Sequence, residues 1–184
     1  MPYALRRILS GYARDERGSI TVEFVLIVPL LFWAFMASYV FFDGYRQSAL
    51  NVKAAYTVGD LISRETEAIN DTYIDSMYAL FQTMVRDQAP VGLRISVVRY
   101  DAAKDRYYVD WSRVRGIYTY PRNDNNLQDI KARLPQMPDG ERVILVESSN
   151  TYEPIFNVGF GNLDLDNFVF TRPRFAPQVA WSNV

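Results

Sequence analysis

The pattern of apolar and polar positions changes character three times along the chain. From Ile20 to Phe42 no side chain carries a charge except that of Glu23. A helix rises about 1.5 Å per residue, so this run extends about 34 Å, enough for a hydrocarbon core of about 30 Å. It predicts a membrane-spanning helix. Pro29 lies inside it; proline removes a backbone hydrogen bond and tends to kink a helix, a defect that membrane helices tolerate when neighbours compensate. The kink is either incidental or a hinge for helix packing.

Helical spacing continues past the apolar run. Tyr45, Ala49, Val52, Tyr56 and Gly59 recur three and four apart, with Ala55, Val58 and Ile62 on an adjacent line, so the helix is predicted to reach Glu67 with Gly44 as a weak point. Asn70-Asp71-Thr72 reads as a break. Thr72 and Asp75 have the spacing of a capping box, and Ile74, Met77, Phe81 and Met84 then predict a second amphipathic helix ending before Pro90.

Beyond Pro90 the period becomes two. Leu93, Ile95 and Val97 alternate with polar residues, as do Tyr107, Val109 and Trp111 after a turn at residues 101–106. That predicts a hairpin with one buried face. Residues 118–126 are polar and turn-rich, and Leu127, Ile130 and Leu134 predict a short helix. Pro138-Asp139-Gly140 is a turn, because proline fixes φ and glycine takes a positive φ. Val143–Val146 is apolar on both faces and predicts a central strand; residues 167–172 predict a further one, with Pro173 confining its end to an edge or exit. The fold class is α+β: a long N-terminal helical spine followed by a small antiparallel sheet covered by helices. Residues 1–18 form a basic leader, 19–42 the span, 43–89 an extended helical region and 90–184 an α+β domain.

Glu23 is the chemical oddity. A carboxylate at the centre of a span costs about 2.5–3.5 kcal/mol on insertion scales, less near a helix end. Cleavage between Gly18 and Ser19 would create an α-amino group at Ser19, charged at neutral pH and one helical turn from Glu23. A pair about 4 Å apart gains on the order of 4 kcal/mol at an effective dielectric of about 20, comparable to the cost of burial. The partner amine could belong to the same chain or to a packed neighbour.

Charge and composition narrow the function. Arg6, Arg7, Arg14 and Arg17 outnumber Asp15 and Glu16, so residues 1–18 carry +2 and their removal takes the formal charge from −1 to −3. A mildly acidic chain argues against nucleic acid as a partner. The arginine excess before the span, against Arg46 and Lys53 after it, predicts a cytoplasmic N-terminus with Tyr45 onward outside. Cysteine and histidine are absent, which removes disulfides, the commonest metal ligands and the commonest general base. No catalytic constellation is visible, no cofactor or metal is expected, and the chain is read as a non-enzyme.

Weaker constellations have ordinary readings. Asn162-x-Asp164-x-Asp166 alternates oxygen ligands, but Asn167 and Pro173 stand where a calcium loop needs glycine and glutamate, so a solvated loop is expected. Arg172 and Arg174 sit among Phe168, Phe170 and Phe175; their stems would cover a sheet edge, or their guanidinium groups would offer a partner surface. Asp101 and Asp105 flank a turn and are expected to face solvent.

Gly18, Glu23 five residues on, Phe24 and the apolar helix resemble a type IV prepilin processing site. Val22-Glu23-Phe24, Pro29-Leu30-Leu31, Asp43-Gly44-Tyr45-Arg46 and the alanine-containing helix beyond resemble TadE-like (TadE/TadF) minor pilins, or pseudopilins, of the tight-adherence (Flp) pilus system, over roughly Arg17 to Asp60. The resemblance implies a pilin-like fold and a single-pass bacterial inner-membrane protein with a periplasmic domain. Prepilin peptidase would cut it between Gly18 and Ser19, and Glu23 and Phe24 would set subunit register in the membrane helix. Its partners would be other minor pilins, the major Flp pilin and the assembly machinery, and it could enter an extracellular pilus. The alternative is an uncleaved, signal-anchored periplasmic binding or adhesin module.

Overall fold

The structure, a computed structural model, describes residues 19–85 and 90–183. It divides into two compact units. One comprises residues 19–42 with Ile155–Phe160; the other comprises Asp43–Pro154 and the residues from Gly161 onward. Helix α1 (Ser19–Ser63) runs through Pro29 without a break and contributes to both.

In the first unit the apolar part of α1 is largely exposed. Phe156, from the Ile155–Phe160 loop, meets Tyr39 edge-on with ring centroids 6.0 Å apart. Met36 and Ala37 are half-buried and Val40 is buried at the same level of the helix.

The second unit is built on a four-stranded antiparallel sheet of β1 (Val91–Asp101), β2 (Arg106–Gly116), β3 (Arg142–Tyr152) and β4 (Leu163–Thr171), in the order β2-β1-β3-β4. The remainder of α1 and helix α2 (Asp71–Val85) supply apolar residues to one face. There Ala54, Ala55, Val58, Ile62, Ile74, Phe81 and Val85 pack with Leu93, Ile95, Val97, Ile144, Val146 and Val169. On the opposite face a short 3-10 helix (Gln128–Arg133) and its flanks bring Leu127, Ile130, Leu134 and Met137 onto Val98, Tyr107, Val143 and Leu145. Val143–Val146 is a central strand, as its two-sided apolar character predicts, and β4 is an edge.

Five local expectations are corrected. Strand β1 is buried on both faces from Leu93 to Val98 apart from half-buried Arg94, because the 117–141 connection folds back over the face that alternation leaves to solvent. Trp111 and Tyr107 do not share a face. The register passes from Val97↔Trp111 to Val98↔Val109, so Asp110 is a bulge residue, and one extra residue reverses the parity of everything after it. Trp111 therefore joins the helical face, where its indole N–H donates to the Val179 carbonyl at 2.8 Å. The exposed bulge carboxylate accepts from Arg142 at 2.6 Å.

Helix α1 ends at Ser63 rather than Glu67. The Ser63 carbonyl, one of the acceptors a helix end leaves open, takes the Arg174 backbone N–H at 2.8 Å. Of the two lines on this helix, only the one through Ala55, Val58 and Ile62 is the core stripe, joined by Gly59, while Tyr45 and Tyr56 are exposed. Helix α2 is capped by Asn70, whose side-chain oxygen accepts the Tyr73 N–H at 3.0 Å. Asparagine is the stronger N-cap, and Asp71 and Asp75 instead hold Arg115 at 2.8 and 2.6 Å.

Two glycines end their segments in the left-handed region, Gly116 with φ +70° and Gly140 with φ +73°. A Cβ on Gly140 meets nothing within 4 Å, whereas one on Gly116 falls 1.8 Å from the Val91 carbonyl oxygen. Gly140→Ala is expected to cost about 1–2 kcal/mol, the penalty for a side chain at this φ, and Gly116→Ala distinctly more. Denaturant unfolding of the full chain in detergent, followed by tryptophan fluorescence, measures both; equal losses would refute the close approach at Gly116.

Candidate functional site

The segment with the strongest chemical signature is the start of α1. Among the described residues it is the one helix long and apolar enough to cross a membrane. Ile20, Leu26 and Phe35 are 78%, 70% and 73% exposed, a surface that water would disfavour by about 25 cal/mol per Å² of apolar area. Glu23 lies on this exposed stretch one residue before Phe24, which is itself exposed, and Pro29 is exposed two turns further along. Ser19 is the first residue of the helix. Gly18, and so the proposed cleavage bond as a whole, lies outside the described residues.

Arg172 and Arg174, the candidate partner surface, each hold a carboxylate. The Arg172 guanidinium binds Glu141 at 2.9 Å, beside the Gly140 turn, and that of Arg174 binds Asp60 on α1 at 2.9 Å. The guanidinium over the Phe168 ring is instead that of Arg133, 4.3 Å from its centroid. Asp164 and Asp166 lie on β4 rather than in a loop. Asp164 accepts from the Thr151 hydroxyl at 2.9 Å, and Asn162 donates to Glu153 at 3.3 Å. Among the described residues no group of acidic side chains is placed to hold a metal ion.

The outer surface contains an open cleft of about 740 Å³ lined by Tyr100, Asp105, Tyr107, Gln128, Lys131 and Met137. Its polar groups engage one another: Asp105 accepts from Lys131 at 2.6 Å and from the Tyr100 hydroxyl at 2.9 Å. The lysine and tyrosine bonds hold the Asp105 carboxyl below its ordinary range.

Sequence reasoning missed a buried ion triad. Glu147, only 7% exposed at its side chain, receives two bonds from Arg94 at 2.7 and 2.8 Å and two from Arg122 at 3.0 and 2.6 Å. Arg94 and Glu147 are register partners on β1 and β3, and Arg122 reaches in from the connection. Burial pushes the Glu147 carboxyl up, but the bonds from Arg122 and Arg94 outweigh it and hold the group below its ordinary value. The Arg94 guanidinium lies 4.4 Å from the centroid of Tyr118, whose phenol burial pushes up to about 12. The Arg122 backbone N–H donates at 2.9 Å to Ser112, which is itself 2.8 Å from Ser96. The signal available in the sequence was Glu147 itself, a charge directly after the apolar run of a central strand. The loop arginine had none.

No protein-family model, curated protein or solved structure matches this chain.

Because its native pKa is lowered, Glu147 contributes stability in full above the ordinary glutamate range, near about pH 4.3. That contribution is lost as pH falls through the lower native value. Glu147→Gln is expected to cost about 3–5 kcal/mol at neutral pH, since it leaves two buried guanidinium groups without their counter-charge. It should also flatten the acid limb of the stability profile. Unfolding curves of both proteins across the acid range would show this; an unchanged acid limb would contradict it.

Proposed function

We propose that this chain is a TadE-like minor pilin or pseudopilin of a Flp-type pilus, made as a single-pass inner-membrane precursor and cut after Gly18 by a prepilin peptidase. The observation that carries this reading is an apolar helical stretch, exposed over most of its length, whose one charged residue stands five places after a glycine that closes a basic leader.

The mechanism is physical rather than catalytic. The helix stores the subunit in the bilayer and packs against sister helices on extraction, where side chains such as Phe24, Leu30 and Leu31 find apolar neighbours in place of lipid. The new Ser19 amine and Glu23 set axial register, because a subunit displaced along its neighbours would separate carboxylate from amine in a medium that favours their pairing. The sheet domain stays periplasmic and supplies contacts to other pilus components.

Mass spectrometry of membrane-extracted protein, co-expressed with a prepilin peptidase, is expected to show a chain starting at Ser19. Gly18→Ala should leave the leader attached. Glu23→Gln should be processed yet enter pili at least about tenfold less well, the effect of losing about 1.4 kcal/mol of register energy. A mature chain that still starts at Met1 would replace this reading with the signal-anchored module, and Glu23→Gln subunits entering pili at the parental level would remove the register mechanism.

A further inference from the structure

The loop between β3 and β4 has a composition that a solvated turn does not need. From Pro154 to Gly161 it carries no charge, and it presents Ile155, Phe156 and Phe160 at 65%, 38% and 56% exposure. Three large apolar side chains on one short loop form a patch rather than scattered surface residues. The loop shares a compact unit with the apolar part of α1, and the Phe156 ring rests against Tyr39. That contact fixes its level along the helix.

The level is informative. From Ile20 to Tyr39 there are 20 residues, which as a helix span about 30 Å, the thickness of the hydrocarbon core. If Ile20 stands at one boundary, Tyr39 stands at the other, where tyrosine and its amphipathic ring are favoured. An irregular loop cannot sit deeper against lipid, because its backbone groups would lack partners. At the headgroup boundary it can place rings among the upper acyl carbons while its peptide groups keep water.

We propose that the Ile155–Phe160 loop is a second membrane contact, inserting Ile155 and Phe160 into the interface of the leaflet where α1 emerges. Such a contact restricts rotation of the chain about its single helix, which one span cannot do. The proposal rests on α1 spanning the bilayer and is independent of cleavage after Gly18. A lipid surface is favoured over a second copy of the chain because the loop is already placed at bilayer depth by its own helix.

The chain contains no cysteine, so single-cysteine variants of the full chain can carry an environment-sensitive fluorophore without interference. Ile155→Cys and Phe160→Cys test the loop, Leu31→Cys the span and Lys104→Cys an aqueous turn. Each is reconstituted at low protein density in phosphatidylethanolamine–phosphatidylglycerol vesicles. The loop labels are expected to be blue-shifted relative to position 104, quenched by headgroup-level spin-labelled lipid and largely protected from iodide. Loop labels as open to iodide as position 104, with position 31 quenched by deep spin labels, would overturn the loop contact while leaving the span intact. Loss of deep quenching at position 31 would instead overturn the span and the loop contact with it. Protection that arises only as protein density is raised would assign the loop to a neighbouring subunit and overturn the proposal.

Discussion

One helix has to satisfy two different surroundings, and the second unit depends on how α1 meets the sheet. Ala54, Ala55, Val58 and Ile62 are fully buried, and a Cβ added to Gly59 would come within 3.4 Å of the Thr171 methyl group. Along this stripe Ala54, Ala55, Val58 and Ile62 share the apolar cluster with the strands, through short-range contacts that are each weak and collectively large. Further toward the apolar run, Gly44 lies beneath the Tyr152 ring, whose hydroxyl donates to Asp43 at 3.0 Å. A bulkier residue at position 44 would have to displace that ring.

The opposite face of the sheet is organised by charge. Glu147 on a central strand would be costly to bury alone, and the strand partner Arg94 and the loop arginine Arg122 make it tolerable. The arrangement orders the long connection after β2, because Arg122 can reach Glu147 only if residues 117–126 lie back across the strands. The same segment then delivers Leu127 and the 3-10 helix to the second apolar cluster. A buried charge here acts as a locator for a loop that has little apolar content of its own.

Function in the proposed reading divides along the same line. In that reading the apolar stretch of α1, with Glu23 near its start, would serve storage in the membrane and packing in an assembly. The continuity of α1 through Pro29 and Gly44 allows a single element to serve both roles.

The elements themselves were legible in the residues. An apolar run of bilayer length, a helical stripe through Ala55 and Ile62, an apolar run at Val143–Val146 and the turn at Gly140 are local signals, set by side-chain period and backbone preference. The fold class follows from their order, and Glu23 stands out because a charge in an apolar run is conspicuous in one dimension. Tertiary structure alone decided which faces are covered and which charges meet. Asp110 reverses the parity of β2 because a bulge depends on the pairing partner, not on the strand's own composition. Ser63 ends α1 because a distant backbone N–H claims its carbonyl. Arg94, Arg122 and Glu147 are ordinary charged residues until three segments converge, since the energy of a buried ion depends on geometry and desolvation that no local pattern encodes.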